Sequence, residues 1–295
     1  MRAVTHPVRS NRLSPATLLR YLTRTALYLF VLAGATVILI PFAWTVSTAL
    51  KTPEQIYIVP PRWIPNPVAW RNFYDGWTAM PFTLYLRNTL IITTSRIVGE
   101  IASCSIVAFA FARLRFRGRG ILFMLVLSTM MLPAQVTMIP TYILFGRLHW
   151  IDTFAPLIVP GFFATTPFYI FLLRQFFMTI PLELDEAAKI DGCGHLRTFL
   201  QLILPMSKAA LFVIMLMSFV GHWNDFMGPL IYLNSQRVRT LVLGLAYFVT
   251  SELEGVTQLP YLMAVNLLAM LPCVALFACF QRQFIQGVVI TGVKG

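Results

Sequence analysis

The amino-acid sequence predicts an all-α, polytopic membrane protein with six transmembrane helices. Hydrophobic residues make up 58% of the 295 residues and charged residues only 12%, which is too few to cover the surface of a soluble chain of this length. Six stretches also approach or exceed the length of about 20 apolar residues that crosses the hydrocarbon core. They are residues 25–47, 88–112, 120–143, 153–174, 208–230 and 261–281. This pattern excludes a soluble enzyme, a disordered chain and a secreted disulfide scaffold.

Several of these stretches contain proline, and five of the prolines serve as examples. In a membrane bundle such prolines predict kinks rather than breaks, because neighbouring helices can satisfy the carbonyl groups that proline leaves free. They are Pro133, Pro140, Pro160, Pro167 and Pro272.

The positions of lysine and arginine predict that both termini lie in the cytoplasm. The segment 1–24 carries five arginines and no acid, and the connection after the second span reads RLRFRGR. Further basic residues follow the fourth span and lie in the tail 282–295. Because cytoplasmic loops carry the excess of basic residues, these segments fall on one side, and 25–281 form the transmembrane domain between the two tails. The net charge of +12 is therefore an orientation signal and not a nucleic-acid footprint.

The two long outer connections differ in composition. Residues 48–87 contain the run VPPRWIPNP and several tryptophans, whereas residues 231–260 are polar. Proline gives a stiff, extended path and tryptophan favours the membrane interface. Two interpretations stay open, a skirt at the interface or a docking surface for an external partner.

The sequence predicts no catalytic, metal or cofactor-binding residues. The four cysteines and four histidines are scattered over different spans and connections, so they form no ligand or acid–base constellation. No GxxxxGK[ST] phosphate-binding loop occurs either.

A polar segment between the fourth and fifth spans, residues 181–206, is the most informative part of the chain. An acidic start after Pro181 predicts a short helix over 182–190. Gly192 then permits a turn, and apolar residues at helical spacing predict a second helix that leads into the next span at Pro205. Periodicity alone is also satisfied by an amphipathic connector at the cytoplasmic membrane face.

The residues of this segment resemble the EAA loop of ABC importer permeases. The family pattern is EAA, three residues, Gly, nine residues, Ile, any residue, Leu-Pro. Here it is matched by Glu186-Ala187-Ala188, Gly192 and then Leu202-Ile203-Leu204-Pro205. Asp191 matches the form found in sugar permeases, whereas Leu202 replaces the more usual Ile and Lys208-Ala209 stands where proline is common. The stretches LPAQVTMIPTY, WNDF and FIQGVVITGVKG are also similar to carbohydrate-uptake permeases of the type of the maltose-system G subunit.

This resemblance implies a type I ABC importer permease in a prokaryotic plasma membrane. It implies a heterodimer with a second, related permease, two copies of a cytoplasmic ATPase that binds ATP and Mg²⁺, and an extracytoplasmic sugar-binding protein. Membrane lipid is a further partner and nucleic acid is not. The segment 181–206 would hold the coupling helix, which sits in a cleft of the ATPase. The residues that the resemblance assigns to this contact are Glu186, Ala187, Ala188, Asp191, Gly192, Leu204, Pro205 and, in the tail, Gln286 and Gly287.

Two ionisable residues lie near the middle of the second span. Arg96 and Glu100 are spaced i, i+4, so their side chains meet on one helix face. The sequence is compatible with a self-neutralising pair that faces the bundle, and also with contact to a polar substrate or to the partner permease. The resemblance offers no role for this pair.

A second polar cluster follows in the fifth span. An aromatic ring beside an amide and a carboxylate suits a sugar, because the ring stacks on C–H faces while the polar groups bind hydroxyls. Trp223, Asn224 and Asp225 are therefore candidates for the substrate pathway, and Asn266 in the sixth span could face the same cavity. The alternative is an interhelical hydrogen-bond cluster that stabilises the fold, and His222 is expected to be structural.

The predicted function is thus a transport subunit, and not an enzyme, that imports a sugar or sugar derivative by alternating access. One alternative is a self-sufficient secondary transporter or channel for a small polar solute, and another is a membrane-embedded enzyme. The repeated halves with broken helices that characterise many secondary transporters are not evident in the sequence. The cargo stays open among a disaccharide, an oligosaccharide and a glycerol phosphodiester.

Overall fold

The computed structural model describes the backbone of residues 15–251 and 259–292 and the side chains of residues 20–249 and 259–280. In these ranges every regular element is a helix. The first group comprises α1 Pro15–Ala49, α2 Pro53–Ile56, α3 Asn72–Ala79 and α4 Phe82–Arg113. The second comprises α5 Arg119–Ser128, a 3₁₀ turn Thr129–Met131, α6 Ala134–Arg147, α7 Ala155–Ile158, a 3₁₀ turn Val159–Phe163 and α8 Pro167–Thr179. The third comprises α9 Glu183–Ile190, α10 His195–Thr198, a π turn Phe199–Ile203, α11 Leu204–Met206, α12 Lys208–Trp223, α13 Met227–Tyr232, a 3₁₀ turn Gln236–Val238, α14 Leu241–Ser251 and α15 Leu259–Gly292.

Four helical segments are long and apolar enough to cross a membrane unaided. They are Arg20–Ala49, Phe82–Arg113, Ala155–Thr179 and Leu259–Phe280. Two further candidates are bent pairs, Arg119–Met131 with Ala134–Arg147 at 98° and His195–Met206 with Lys208–Trp223 at 77°. The described residues therefore hold up to six spans, in the all-α polytopic arrangement that the sequence predicts.

The third and fifth spans differ from the single helices that the sequence suggests. Pro133 adopts an extended backbone with ψ of 132°, so it breaks the third span rather than kinking it. The fifth span ends at Trp223 and not at residue 230. There Asp225 Oδ1 accepts a hydrogen bond from the Gly228 backbone N–H at 3.1 Å, and such local side-chain bonds compete with helical continuation.

Helix α4 lies at the centre of the bundle and packs against α8, α12 and α14. Its C-terminal half contributes Cys104 and Ala108 to a buried cluster with Leu173 and Ile214. Its N-terminal end contributes Phe82 and Tyr85 to a second buried cluster with residues of α14 and α15. Both ends of α4 are thus packed within the bundle, whereas residues 20–43 of α1 are exposed.

Residues 237–241, within the connection 231–260, are held tightly against α4. Asn88 Nδ2 donates hydrogen bonds to the carbonyl oxygens of Arg237 and Arg239, each at 2.9 Å. Thr89 Oγ1 accepts a hydrogen bond from the Leu241 N–H at 2.8 Å, which fixes the start of α14. The helix α14 lies in a region that the sequence suggests to be a polar connection. The region forms a helix because residues of α4 and α15 bury its apolar face.

Candidate functional site

The segment 181–206 forms a helix, a glycine turn and a second helix. None of the residues of α9 is buried, and three of its acids, Glu183, Asp185 and Glu186, fall in its first turn. Acidic groups at this end interact favourably with the positive end of the helix dipole. Ile190, at the other end of α9, is 87% exposed. The helix is therefore an accessible surface with an acidic start and an apolar end.

A left-handed residue ends α9. Gly192 has φ of +78°, a conformation that favours glycine. The N–H of Cys193 donates to the Ala188 carbonyl at 2.8 Å, and the N–H of Asp191 donates to the Ala187 carbonyl at 3.0 Å. The two alanines of the EAA motif thus supply the carbonyl groups that the turn closes on. Around a Cβ placed at Gly192 there is open space, so only the backbone angle demands glycine here.

The first helix of the segment is anchored to the bundle by an ion pair. Arg113 at the end of α4 contacts Asp185 on α9, with 2.9 Å between Nη1 and Oδ2. Arg113 Nη2 also donates to the carbonyl oxygens of Phe177 and Ile180, each at 2.7 Å. Burial raises the pKa of Asp185 above its usual value, although the charges of Arg113 and His195 oppose this.

The second helix leads into α12 through a π turn, Phe199–Ile203, and the short α11 that carries Leu204 and Pro205. Pro205 has no N–H, so it cannot donate the bond that would continue a regular α-helix at that point. The chain then bends by 77° into α12 at Ser207. The Leu-Pro end of the EAA motif therefore lies at the joint between the exposed segment and a spanning helix.

A buried carboxylate, Glu100, joins three spanning helices. Arg96 Nε donates to Glu100 Oε1 at 3.0 Å, and the Glu100 side chain is 2% exposed. Thr166, at the N-cap of α8, donates to Oε1 at 2.9 Å, and Ser218 on α12 donates to Oε2 at 2.6 Å. His222 Nε2 lies 3.2 Å from Oε2. A carboxylate has about four acceptor positions, so four partners saturate it.

Three of these partners were not predicted as such from the sequence. Thr166, Ser218 and His222 come from helices far from Glu100 in the chain, and His222 was expected to be structural without an assigned partner. One signal was available, because Ser218 and His222 are spaced i, i+4 on α12, in the same way as Arg96 and Glu100 on α4.

A cavity of about 590 Å³ lies beside this cluster. Its wall includes the apolar and aromatic side chains of Leu157, Phe163 and Trp150. Phe145 stacks on Trp150 with ring centroids 5.5 Å apart and meets Tyr232 edge-on at 5.4 Å. Its polar lining residues are Thr89, Arg96, Thr141, Thr165, His222, Asp225 and Thr240. The cavity thus combines an aromatic wall with a small set of polar groups, as ligand sites commonly do.

The candidate pathway residues do not converge on this cavity. Asp225 lines it, whereas Trp223 is buried against α15, where its Nε1 donates to the Ala269 carbonyl at 3.1 Å. Asn224 is exposed and donates back to the Val220 carbonyl at 2.9 Å. Asn266 is half-buried on α15 and is not among the lining residues.

Gln286 and Gly287, which were predicted to contact the ATPase, fall in the helical tail, and their side chains lie outside the described residues.

A bundle of spanning helices with an internal cavity and an exposed helix–turn–helix segment defines a membrane transport protein. The chain belongs to the family described as the binding-protein-dependent transport system inner membrane component, whose family model matches residues 104–290. It is the permease of an ABC importer in the bacterial inner membrane, and an ATPase and an external binding protein work with it.

Several curated relatives are similar over most of the chain. The sn-glycerol-3-phosphate transport system permease protein UgpE of Yersinia enterocolitica is 33% identical over 268 residues, which cover 89% of this chain and 94% of that protein. The UgpE proteins of Pectobacterium atrosepticum and Escherichia coli O1:K1 are each 32% identical and are covered over 94% and 92% of their lengths.

A solved structure shares the fold. It is a chain of a bacterial ABC transporter involved in the import of the acidic polysaccharide alginate, with a TM-score of 0.76 and 20% identity, and the likeness covers 94% of this chain and 99% of that one. These comparisons confirm the ABC importer permease, its fold and its location in the plasma membrane as the sequence predicted. They do not favour a self-sufficient secondary transporter or channel.

Proposed function

We propose that this chain, paired with a second related permease, imports a small sugar or polyol derivative that carries a negative charge. The support comes from the named cargoes of its relatives and of its structural neighbour. The similar permeases are named for sn-glycerol 3-phosphate, and the structural neighbour belongs to a transporter of an acidic polysaccharide. Both cargoes combine hydroxyl groups with an anionic group.

The exposed segment 181–206 is the observation that carries the coupling part of this proposal. Helix α9 has no buried residue, and Ile190 and Leu196 are 87% and 69% exposed. An apolar surface of this kind at the end of a membrane protein favours a protein partner. In our proposal the partner is one of two copies of a cytoplasmic ATPase, with which Glu186 pairs through a basic group.

Motion passes from the ATPase to the spanning helices through rigid contacts. The Arg113–Asp185 ion pair joins α9 to α4, and the π turn joins the second helix of the segment to α12. A rigid-body shift of the segment would therefore move α4 and α12, two of the helices that line the cavity. ATP and Mg²⁺ are bound by the ATPase, and this chain contributes no catalytic group.

The second permease is proposed to cover part of α1. Residues 20–43 of α1 are exposed in this chain, and a related permease could pack there while lipid covers the rest. Of the four candidate pathway residues, Asp225 is the one that the proposal retains at the cavity. Trp223, Asn224 and Asn266 are proposed to act through helix packing.

The experiment replaces Gly192 in the assembled importer and measures uptake and ATP hydrolysis in proteoliposomes. Gly192→Val should lower uptake and cargo-stimulated hydrolysis severalfold while membrane insertion is retained, because a β-branched residue resists positive φ. Gly192→Asn should retain more activity, since asparagine tolerates this conformation. Gly194→Ala is the matched control, because Gly194 has φ of −75° and open space around a Cβ. Full uptake by Gly192→Val would refute the coupling role.

A further inference from the structure

The cavity beside Glu100 has a fixed cation in its wall. The Arg96 side chain is 14% exposed, and it lines the cavity together with Thr165 and His222. Arginine offers five N–H donors in a rigid fork. Three are used within this chain, by Glu100 on Nε at 3.0 Å, by the Leu157 carbonyl on Nη1 at 3.3 Å and by Thr165 Oγ1 on Nη2 at 3.4 Å. One N–H on each terminal nitrogen is left for a ligand.

Glu100 holds this guanidinium in place without competing for its free donors. The four partners of the carboxylate occupy its acceptor positions. It therefore offsets the cost of a charged arginine at membrane depth. A charge that is paired on one side and open on the other side can bind an oxyanion through parallel hydrogen bonds.

The surrounding backbone is shaped around the arginine side chain. A Cβ placed at Gly161 would lie 2.8 Å from Arg96 Cδ, closer than such atoms normally approach. Glycine at this position thus allows the stem of Arg96 to pass against the 3₁₀ turn before α8. The cation is positioned by backbone contact as well as by its hydrogen bonds.

We propose that Arg96 binds the anionic group, a phosphate or a carboxylate, of the imported solute. This inference rests on the proposed function and identifies the residue that recognises the negative charge of the solute. Asp225, on the same cavity wall, disfavours a second negative charge and can accept a hydroxyl hydrogen bond. The stacked rings of Phe145 and Trp150 provide an apolar face for the C–H groups of the solute. The cavity therefore suits a solute with one anionic end and a hydroxylated remainder.

The test uses the complete importer with its binding protein in proteoliposomes and follows uptake of labelled sn-glycerol 3-phosphate and of a labelled neutral disaccharide. Because removal of Arg96 alone would leave Glu100 unpaired in the membrane, the main variant is Arg96→Gln combined with Glu100→Gln. We expect the KM for glycerol 3-phosphate to rise about 10- to 100-fold, as expected for loss of a charge-assisted double hydrogen bond. Assembly of the variant importer is measured alongside, by co-purification of its chains.

Two further variants separate geometry from charge. Arg96→Lys keeps the charge but loses the fork, so it should raise the KM by an intermediate factor. Gly161→Ala keeps every charge but displaces the Arg96 stem, and it should also raise the KM. Arg117→Gln removes an exposed arginine far from the cavity and should leave the KM unchanged.

The outcomes distinguish the two levels of the proposal. If the wild-type importer carries a neutral sugar but no anionic solute, the proposed function fails. If it carries glycerol 3-phosphate and the double variant keeps the wild-type KM, the Arg96 site is overturned while the proposed function stands. If native mass spectrometry finds a phospholipid retained through Arg96 and uptake is unaffected, the ligand of Arg96 is a lipid headgroup, and the proposal that Arg96 binds the cargo is overturned.

Discussion

Arg113 of α4 and Asp185 of α9 form an ion pair of 2.9 Å that ties a spanning helix to the exposed segment 181–206. The Arg113 side chain is 4% exposed and that of Asp185 is 23% exposed, so the pair lies at the boundary between the bundle and the segment. Arg113 also binds the last carbonyl groups of α8. One guanidinium thus joins α4, α8 and α9.

Arg113→Ala should destabilise the assembled importer by about 3 kcal/mol, because it leaves buried carbonyl groups and Asp185 without their partner. Asp185→Asn should cost about 1 kcal/mol, since the position is partly exposed and the amide keeps an acceptor. We expect uptake per ATP hydrolysed to fall in Asp185→Asn. Thermal unfolding and the ratio of uptake to hydrolysis are the measurements, with Arg117→Ala as the exposed control. An unchanged ratio would contradict the role of this pair in coupling.

Ser218→Ala should lower the stability of the bundle by about 1 kcal/mol, as for other hydrogen bonds between membrane helices. Its hydroxyl donates to Glu100 at 2.6 Å across two helices. Ser128→Ala is the control, because the Ser128 hydroxyl is exposed and bonds only to the Leu125 carbonyl in its own helix. Denaturant unfolding of both variants checks this, and equal midpoints would argue against a structural contribution of the Glu100 cluster.

Gly244→Ala should be destabilising by about 1–3 kcal/mol, as expected for overpacking. A Cβ at Gly244 would overlap the ring of Tyr85, whose side chain is fully buried. Gly146→Ala in α6 has open space and should be neutral or stabilising, because alanine favours the helix. The melting temperatures of the two variants should therefore move in opposite directions or differ clearly. Equal melting temperatures would show that α14 does not pack this closely on α4.

Asp152→Asn should remove a pH-dependent contribution to the outer connection. The backbone N–H groups of Ser235 and Asn234 donate to Asp152 Oδ1 at 2.7 and 2.9 Å, and these bonds lower the pKa of Asp152 below its usual value of 3.8. A lowered folded-state pKa stabilises the protein above that usual value, and the contribution is lost as the pH falls through the lowered pKa. The wild type should thus exceed Asp152→Asn in stability near neutral pH, with the difference shrinking in acid. A constant difference over this pH range would contradict the charge effect.

The class of protein and the exposed segment could be predicted because the signals that define them are local. A span is recognised by about 20 consecutive apolar residues. The start and end of helix α9 in the segment 181–206 follow from its acidic first turn and from Gly192. The Arg96–Glu100 contact is equally local, since an i, i+4 spacing on one helix brings the two side chains together whatever the neighbouring helices do.

The partners of that pair depended on tertiary structure. Thr166 and Ser218 lie 66 and 118 residues from Glu100 in the chain, and only the packing of α8 and α12 against α4 brings them to it. In the same way, the rotation of α12 against α15 turned Trp223 away from the cavity and left Asp225 at its wall. The sequence by itself determined which stretches are apolar and long enough to span a membrane, because that property depends only on consecutive residues. Only the tertiary structure decided which side chains meet inside the bundle, because helix rotation and helix breaks are set by packing between distant residues.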